Sequence, residues 1–177
     1  MSDGSSLPAR RVVTGHNEQG RARVLWDAPV EVVRRAEPPH RTQVSVVWST
    51  HENPADVAIG LAIDDAAKRV VGTQPPPNGS RVSVLDLPPG SPGGLHRTES
   101  IDYAFVLAGE VDMELDDGVR VALNAGDIVV QRATNHSWSN RGSTWARIAV
   151  VLIDAVPLGI GEPVASGSFA SEVRRPD

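Results

Sequence analysis

The sequence predicts a single all-β domain of antiparallel strands, and three observations carry that expectation. Sixteen glycines and fourteen prolines fall mainly in clusters, at Pro75–Gly79, Pro88–Gly94 and Asn140–Gly142, and such clusters end regular elements. Between them run short stretches rich in β-branched residues, the spacing of a sandwich or barrel and not of a helical bundle. From Glu110 to Leu115 the residues Val111, Met113 and Leu115 alternate with Glu110, Asp112 and Glu114, the period-2 pattern of a strand with one apolar and one solvated face.

The elements follow in order. Residues 11–14, 22–26 and 44–48 read as strands, with Gly15–Gly20 turning between the first two. Pro54–Ala67 is alanine-rich and carries Asp64-Asp65, which suits a short helix and an irregular excursion equally. Strands are expected at 81–87, 101–107, 110–115, 119–123, 128–131 and 144–153, with at most two short helices in the whole chain. Asp117-Gly118 provides a hairpin turn, because glycine accepts positive φ and the pair suits turns that match strand twist. Asn124–Asp127 turns the chain again. Residues 1–9 form a loose N-terminus, 10–160 one domain and 161–177 a tail, and no internal repeat suggests a duplicated barrel.

Bulk properties narrow the chemistry. At 177 residues the chain suits one domain that buries roughly 70% of its unfolded surface without staples. The absence of cysteine excludes disulfides, thiolate metal sites and thiol nucleophiles, so any metal would rest on nitrogen and oxygen. No signal-peptide core and no run near the roughly 20 apolar residues of a membrane span is visible, so a cytoplasmic protein with no membrane partner is expected. A net charge of −5 without a concentrated basic surface argues against nucleic acid as a partner. Sixteen of the seventeen basic residues are arginine and only Lys68 is lysine, a skew assigned to a GC-rich genome.

Two stretches carry the chemistry. The first reads Gly90, five residues, His96, one residue, Thr98, three residues, Asp102, six residues, Gly109; the second reads Gly126, nine residues, His136, three residues, Asn140. Together they resemble the two motifs of the cupin superfamily, over roughly residues 81–153, with Gly126-Asp127-Ile128-Val129-Val130 typical of that family. Thr98 stands where the family has a second histidine, Asp102 where it has glutamate, and Arg132 where it has proline; the second motif is one residue short before its histidine. The resemblance implies a single-domain antiparallel jelly-roll barrel with an N-terminal strand extension. It also implies a pocket in which His96, Asp102 and His136 converge, as catalytic residues and as ligands of one divalent metal, with iron, manganese, nickel or zinc all suited to such donors. A metal-free pocket is the alternative, with a histidine as general acid and base. No organic cofactor is expected.

Parity supports the grouping, since His96, Thr98 and Asp102 share one strand face and His136, Trp138 and Asn140 another. Thr98, Trp138, Arg132 and Asn140 are the candidate substrate-binding residues. The threonine hydroxyl is a poor ligand and a good hydrogen-bond partner. The indole offers an apolar wall with one donor. Arg132 suits either a substrate carboxylate or solvent. Glu99 would replace Thr98 only through a strand bulge. Tyr103 and Phe105 alternate with Asp102 and are assigned to packing on the sheet's other face; His16, His40 and His51 are assigned to surface or loop roles. The expected function is that of a small-molecule enzyme of the lyase or isomerase kind acting on a polar metabolite. The alternatives are a non-catalytic ligand-binding module and a metal-dependent dioxygenase. A homodimer is expected, because apolar N-terminal strands around Val12, Val24 and Val46 call for cover.

Overall fold

The computed structural model describes residues 8–31, 34–36, 41–69 and 72–160. Residues 1–7, the tail 161–177 and His40 lie outside the described residues. The described chain is built from strands, with short 3₁₀ turns at Ala66–Arg69 and Asp116–Gly118. A hairpin comes first, β1 (Arg10–His16) against β2 (Ala22–Pro29). Then follow β3 (Arg34–Arg35), β4 (Gln43–Thr50), β5 (Ser80–Leu87), β6 (Ser100–Ala108), β7 (Glu110–Glu114), β8 (Arg120–Asn124), β9 (Ile128–Arg132), β10 (Ser137–Ser139) and β11 (Ala146–Asp154). The ladders are antiparallel and make a large sheet in the order β3-β4-β5-β11-β6-β9 and a small one in the order β10-β7-β8.

This is the jelly-roll arrangement, drawn as two packed sheets and not as one closed ladder, because β7, β8 and β10 pair only with one another. The sheets meet around one core. Leu87 comes from β5, Ala104 and Val106 from β6, and Ile148, Val150 and Leu152 from β11. Val111, Met113, Leu123 and Trp138 answer them from the small sheet. Each such aliphatic side chain withdrawn from water contributes about 1.5–3 kcal/mol. Gly109 closes the turn from β6 to β7 with φ of 72°, where a Cβ would come within 2.8 Å of the Trp145 carbonyl oxygen. Only glycine fits there.

Rows of paired residues cross the large sheet, and their character changes along the strands. Ile148 pairs with Val106, Val150 with Ala104 and Ala104 with Val129, all apolar. One step further Leu152 pairs with Asp102 and Asp102 with Gln131, both polar residues 3% exposed. The interior therefore has an apolar end and a polar end, and the polar end holds the site.

Two expectations change here, and one open alternative is decided. Tyr103 lies on the outer face as foreseen, but that face is open and the ring is 37% exposed, so it does not pack a second core. Val46 is 1% exposed and covered from within by Ala67, whereas Val12 and Val24 remain exposed; the case for a partner over Val46 falls away. Pro54–Ala67 is irregular until Ala66 enters its 3₁₀ turn. The hairpin is fixed by Arg11, which donates to both oxygens of Asp65 at 2.7 and 2.9 Å and to the Val47 carbonyl at 3.1 Å, and lies over the Trp26 ring.

Candidate functional site

His96 and His136 are brought together by the backbone. Each donates its amide N–H to the other's carbonyl at 2.9 Å, an isolated antiparallel bridge between the segment leading into β6 and the loop between β9 and β10. That loop is held where Ala133, at φ of 49°, donates its N–H to the Ser100 carbonyl. The two rings consequently lie 4.1 Å apart between centroids at 53°, and Trp138 meets His136 edge-on at 5.6 Å. The one-residue deletion in the second motif does not turn His136 away.

The rings are held from behind. His96 Nδ1 donates to the Gly94 carbonyl at 2.9 Å, which leaves its Nε2 with the lone pair and no partner among the described residues. His136 Nδ1 lies 3.0 Å from the Thr134 carbonyl. Burial holds the His96 pKa below its usual 6.5, against the opposing pull of the Gly94 carbonyl. Burial first, and the neighbouring His96 second, push His136 down to about 3. Both imidazoles are neutral at pH 7.

Asp102 is buried on the inner face of β6. The Ser100 hydroxyl donates to Oδ1 at 2.6 Å, Gln131 Nε2 to Oδ2 at 3.2 Å, and the Thr98 hydroxyl lies at the outer limit from Oδ2 at 3.5 Å. Ser100 and Thr98 hydroxyls are themselves 2.8 Å apart. Burial raises the Asp102 pKa from 3.8 to about 6, and the Ser100 and Thr98 hydroxyls restrain it.

The structure thus gathers His96, His136, Trp138, Thr98 and Asp102 at one end of the interior, but not as a metal triad. Gln131 stands between Asp102 and His136, with Nε2 within 2.7 Å of His136 Nδ1 and 3.2 Å of Nε2. Among the described residues no three His, Cys, Asp or Glu side chains group so as to hold a metal ion. The donor set His96, Asp102 and His136 does not group around one divalent metal, because the Gln131 amide stands between Asp102 and His136. Two substrate-binding expectations are also corrected. Arg132 has opposite parity to Gln131 and is exposed on the outer face of β9. Asn140, 1% exposed, donates to the Leu87 and Thr144 carbonyls and accepts the Gly142 N–H, so its side chain is spent on holding the chain. Glu99 is engaged by Arg97 and by the Leu158 amide. Gln131 and Ser100 were not foreseen. Their signal was present, since a glutamine ends the apolar run Ile128–Val130 and Ser100 shares the parity of Asp102.

A separate cavity of about 600 Å³ lies on the outer side of β10, lined among others by Ser91, Glu114, Asp116, Ser137 and Ser139. Neither histidine lines it.

Residues 83–152 match the Cupin domain family. The "Cupin-domain-containing oxidoreductase srdD" of Neurospora crassa is 32% identical over 150 residues, covering 81% of this chain and 74% of that one. The chain belongs to the cupin family. This cupin is also 46% identical over 92 residues to "Phomopsin biosynthesis cluster protein C'" of Diaporthe leptostromiformis, over 51% of this chain. That match spans about half the relative's length, 49%. Among solved structures, a conserved protein with a double-stranded beta-helix domain from Klebsiella pneumoniae is 20% identical, with a TM-score of 0.49 over 77% of this chain and 91% of the other. Among the described residues no helix is long and apolar enough to cross a membrane.

Proposed function

We propose that this cupin is a small-molecule enzyme of the isomerase or lyase kind, in which His96 moves a proton on a polar, oxygenated metabolite. The carrying observation is the open Nε2 of His96, a half-buried neutral imidazole whose other nitrogen is fixed to the Gly94 carbonyl. In the reaction, Nε2 takes a proton from a carbon or hydroxyl beside a substrate carbonyl. The imidazolium that forms keeps its Nδ1–H on Gly94. The same nitrogen then returns the proton to a neighbouring atom, which is isomerisation, or to a departing group, which is elimination. Asp102, an acid raised toward neutrality near bases held low, adds a group of the opposite kind to the same interior.

A second reading, redox chemistry, is favoured by the name of the Neurospora relative, and a non-catalytic ligand-binding module is the third. One experiment separates them: turnover of a metabolite mixture in deuterated water, read by mass spectrometry, with wild type and His96→Gln side by side. The expected product is an isomer or an elimination product at unchanged overall oxidation level, with solvent deuterium entering isomer or recovered substrate to the extent that the proton exchanges while it rests on His96, and His96→Gln slows its formation by about 10²- to 10⁴-fold. A product changed by two electrons supports the redox reading, and binding without turnover supports the module. With substrate in hand, kcat/KM should fall as pH drops through a value below the usual 6.5 of histidine, because only neutral His96 accepts a proton. An undiminished rate in His96→Gln would overturn the assignment.

A further inference from the structure

The two faces of β10 look onto different places. Trp138 turns inward to the core, so by strand alternation Ser137 and Ser139 turn outward, onto the face they share with their β7 partners Glu114 and Asp112. The loop 90–95 folds over that outer face, held where Asn140 donates its N–H to the Ser91 carbonyl at 3.0 Å, and between loop and sheet lies the cavity of about 600 Å³. Its size falls within the roughly 300–1,000 Å³ of small-molecule pockets. Gly93 lets the loop approach, since a Cβ there would stand 2.6 Å from Ser137 Oγ.

The hydroxyls in this lining are unanswered. Ser137 and Ser139 are each 7% exposed, and neither has a hydrogen-bond partner among the described residues. Ser91 Oγ, in the same lining, is enclosed and unpartnered too. Buried hydroxyls are ordinarily bonded, so a pair of them turned onto one cavity marks a place for hydrogen-bonding groups from outside the chain. Charge narrows the class. Arg120 answers Glu114 at 2.9 Å and Arg141 answers Asp112 at 3.2 Å, whereas the Asp116 carboxylate meets the neutral Asn135 amide and Asp117 has no ion partner among the described residues. The uncompensated charge of the lining is therefore negative.

We propose that this cavity is a second ligand site, separate from the histidines, for a small compound that carries a protonated amine among hydroxyl groups. Its hydroxyls exchange hydrogen bonds with Ser137 and Ser139, which both donate and accept, and its ammonium lies toward Asp116 and Asp117. The same two carboxylates repel an anion of the same shape. The site does not depend on the reaction assigned to His96, because alternate residues of β10 face the core and the cavity.

The test uses the full chain labelled with ¹⁵N and three achiral probes of similar shape and different charge: Tris, protonated at pH 7, neutral pentaerythritol and anionic dimethylolpropionate. Each is titrated at low salt, where exposed charges are least screened, and amide shifts are followed. Tris should give saturable shifts centred on the amides of Ser91, Gly93, Ser137 and Ser139, pentaerythritol weaker binding at the same amides, and dimethylolpropionate none. Ser137→Ala combined with Ser139→Ala should weaken Tris binding about 10- to 30-fold, the loss of two ordinary hydrogen bonds. Asp116→Asn combined with Asp117→Asn should reduce the preference for Tris over pentaerythritol by the few-fold that exposed ion pairs contribute. Failure of Tris to saturate these amides would overturn the proposal. So would shifts centred on His96 and His136, binding of the anion as tight as that of Tris, or undiminished affinity in the double serine variant.

Discussion

Asp102 shows how a single methylene redirects a site. A carboxylate on this face of β6 was legible from its spacing to His96, and its parity with Thr98 placed it inward. What spacing did not reveal is who answers it, because Ser100 is a near neighbour in sequence and Gln131 arrives from another strand through the β6–β9 register. With a short side chain wrapped by a hydroxyl and an amide, the group is a hydrogen-bonded acid and not an outreaching ligand. Its hydroxyl partner Ser100 holds the pKa down against burial. Ser100→Ala should therefore lift the Asp102 pKa above about 6, by on the order of one unit, read from the ¹³Cγ shift as a function of pH. A fall, or no change, would mean that the carboxylate does not accept that proton in solution.

At the scale of the element, the second half of the chain was legible because each strand is bounded by a turn with its own chemistry. Asp117 and Gly118 both take positive φ, and β5 to β9 lie within a residue or so of their expected limits. The first half was harder, because β4 runs on to Thr50 through a bulge between Val46 and Trp48, and a long irregular stretch precedes the Ala66 turn. The roles of Arg132 and Asn140 were misjudged for one reason: family position gives a residue's place along the strand, not whom its side chain meets. Asn140 ties the end of β5 to the loop before β11 with both amide hydrogens. Asn140→Ala leaves two carbonyls without those donors and should cost about 2 to 4 kcal/mol in urea unfolding, with KM of the surviving fold near wild type. A selective rise in KM at unchanged stability would instead return Asn140 to the substrate.

For the whole molecule, the buried site couples stability to pH through terms of opposite sign. Asp102 is raised from 3.8 to about 6, so the stability it contributes is full below 3.8 and is lost as pH rises through about 6. His136 is lowered from 6.5 to about 3, so its contribution is present above 6.5 and is lost as pH falls toward 3, with His96 acting in the same direction. Between 3.8 and about 6 the folded state holds a proton on Asp102 while the unfolded state holds one on His136, and these two slopes cancel. His96, lowered as well, adds an upward slope in the window just below its usual 6.5. Asp102→Asn removes the descending term alone. The difference in unfolding free energy, variant minus wild type, should then grow in the variant's favour by about 2.5 kcal/mol between about pH 4 and about pH 7.5, on top of a pH-independent offset from the altered hydrogen bonds. Urea midpoints at the two pH values measure it. A difference that does not change with pH would show that Asp102 ionises in the folded protein as easily as in the unfolded chain, and the buried-acid description of the site would fail.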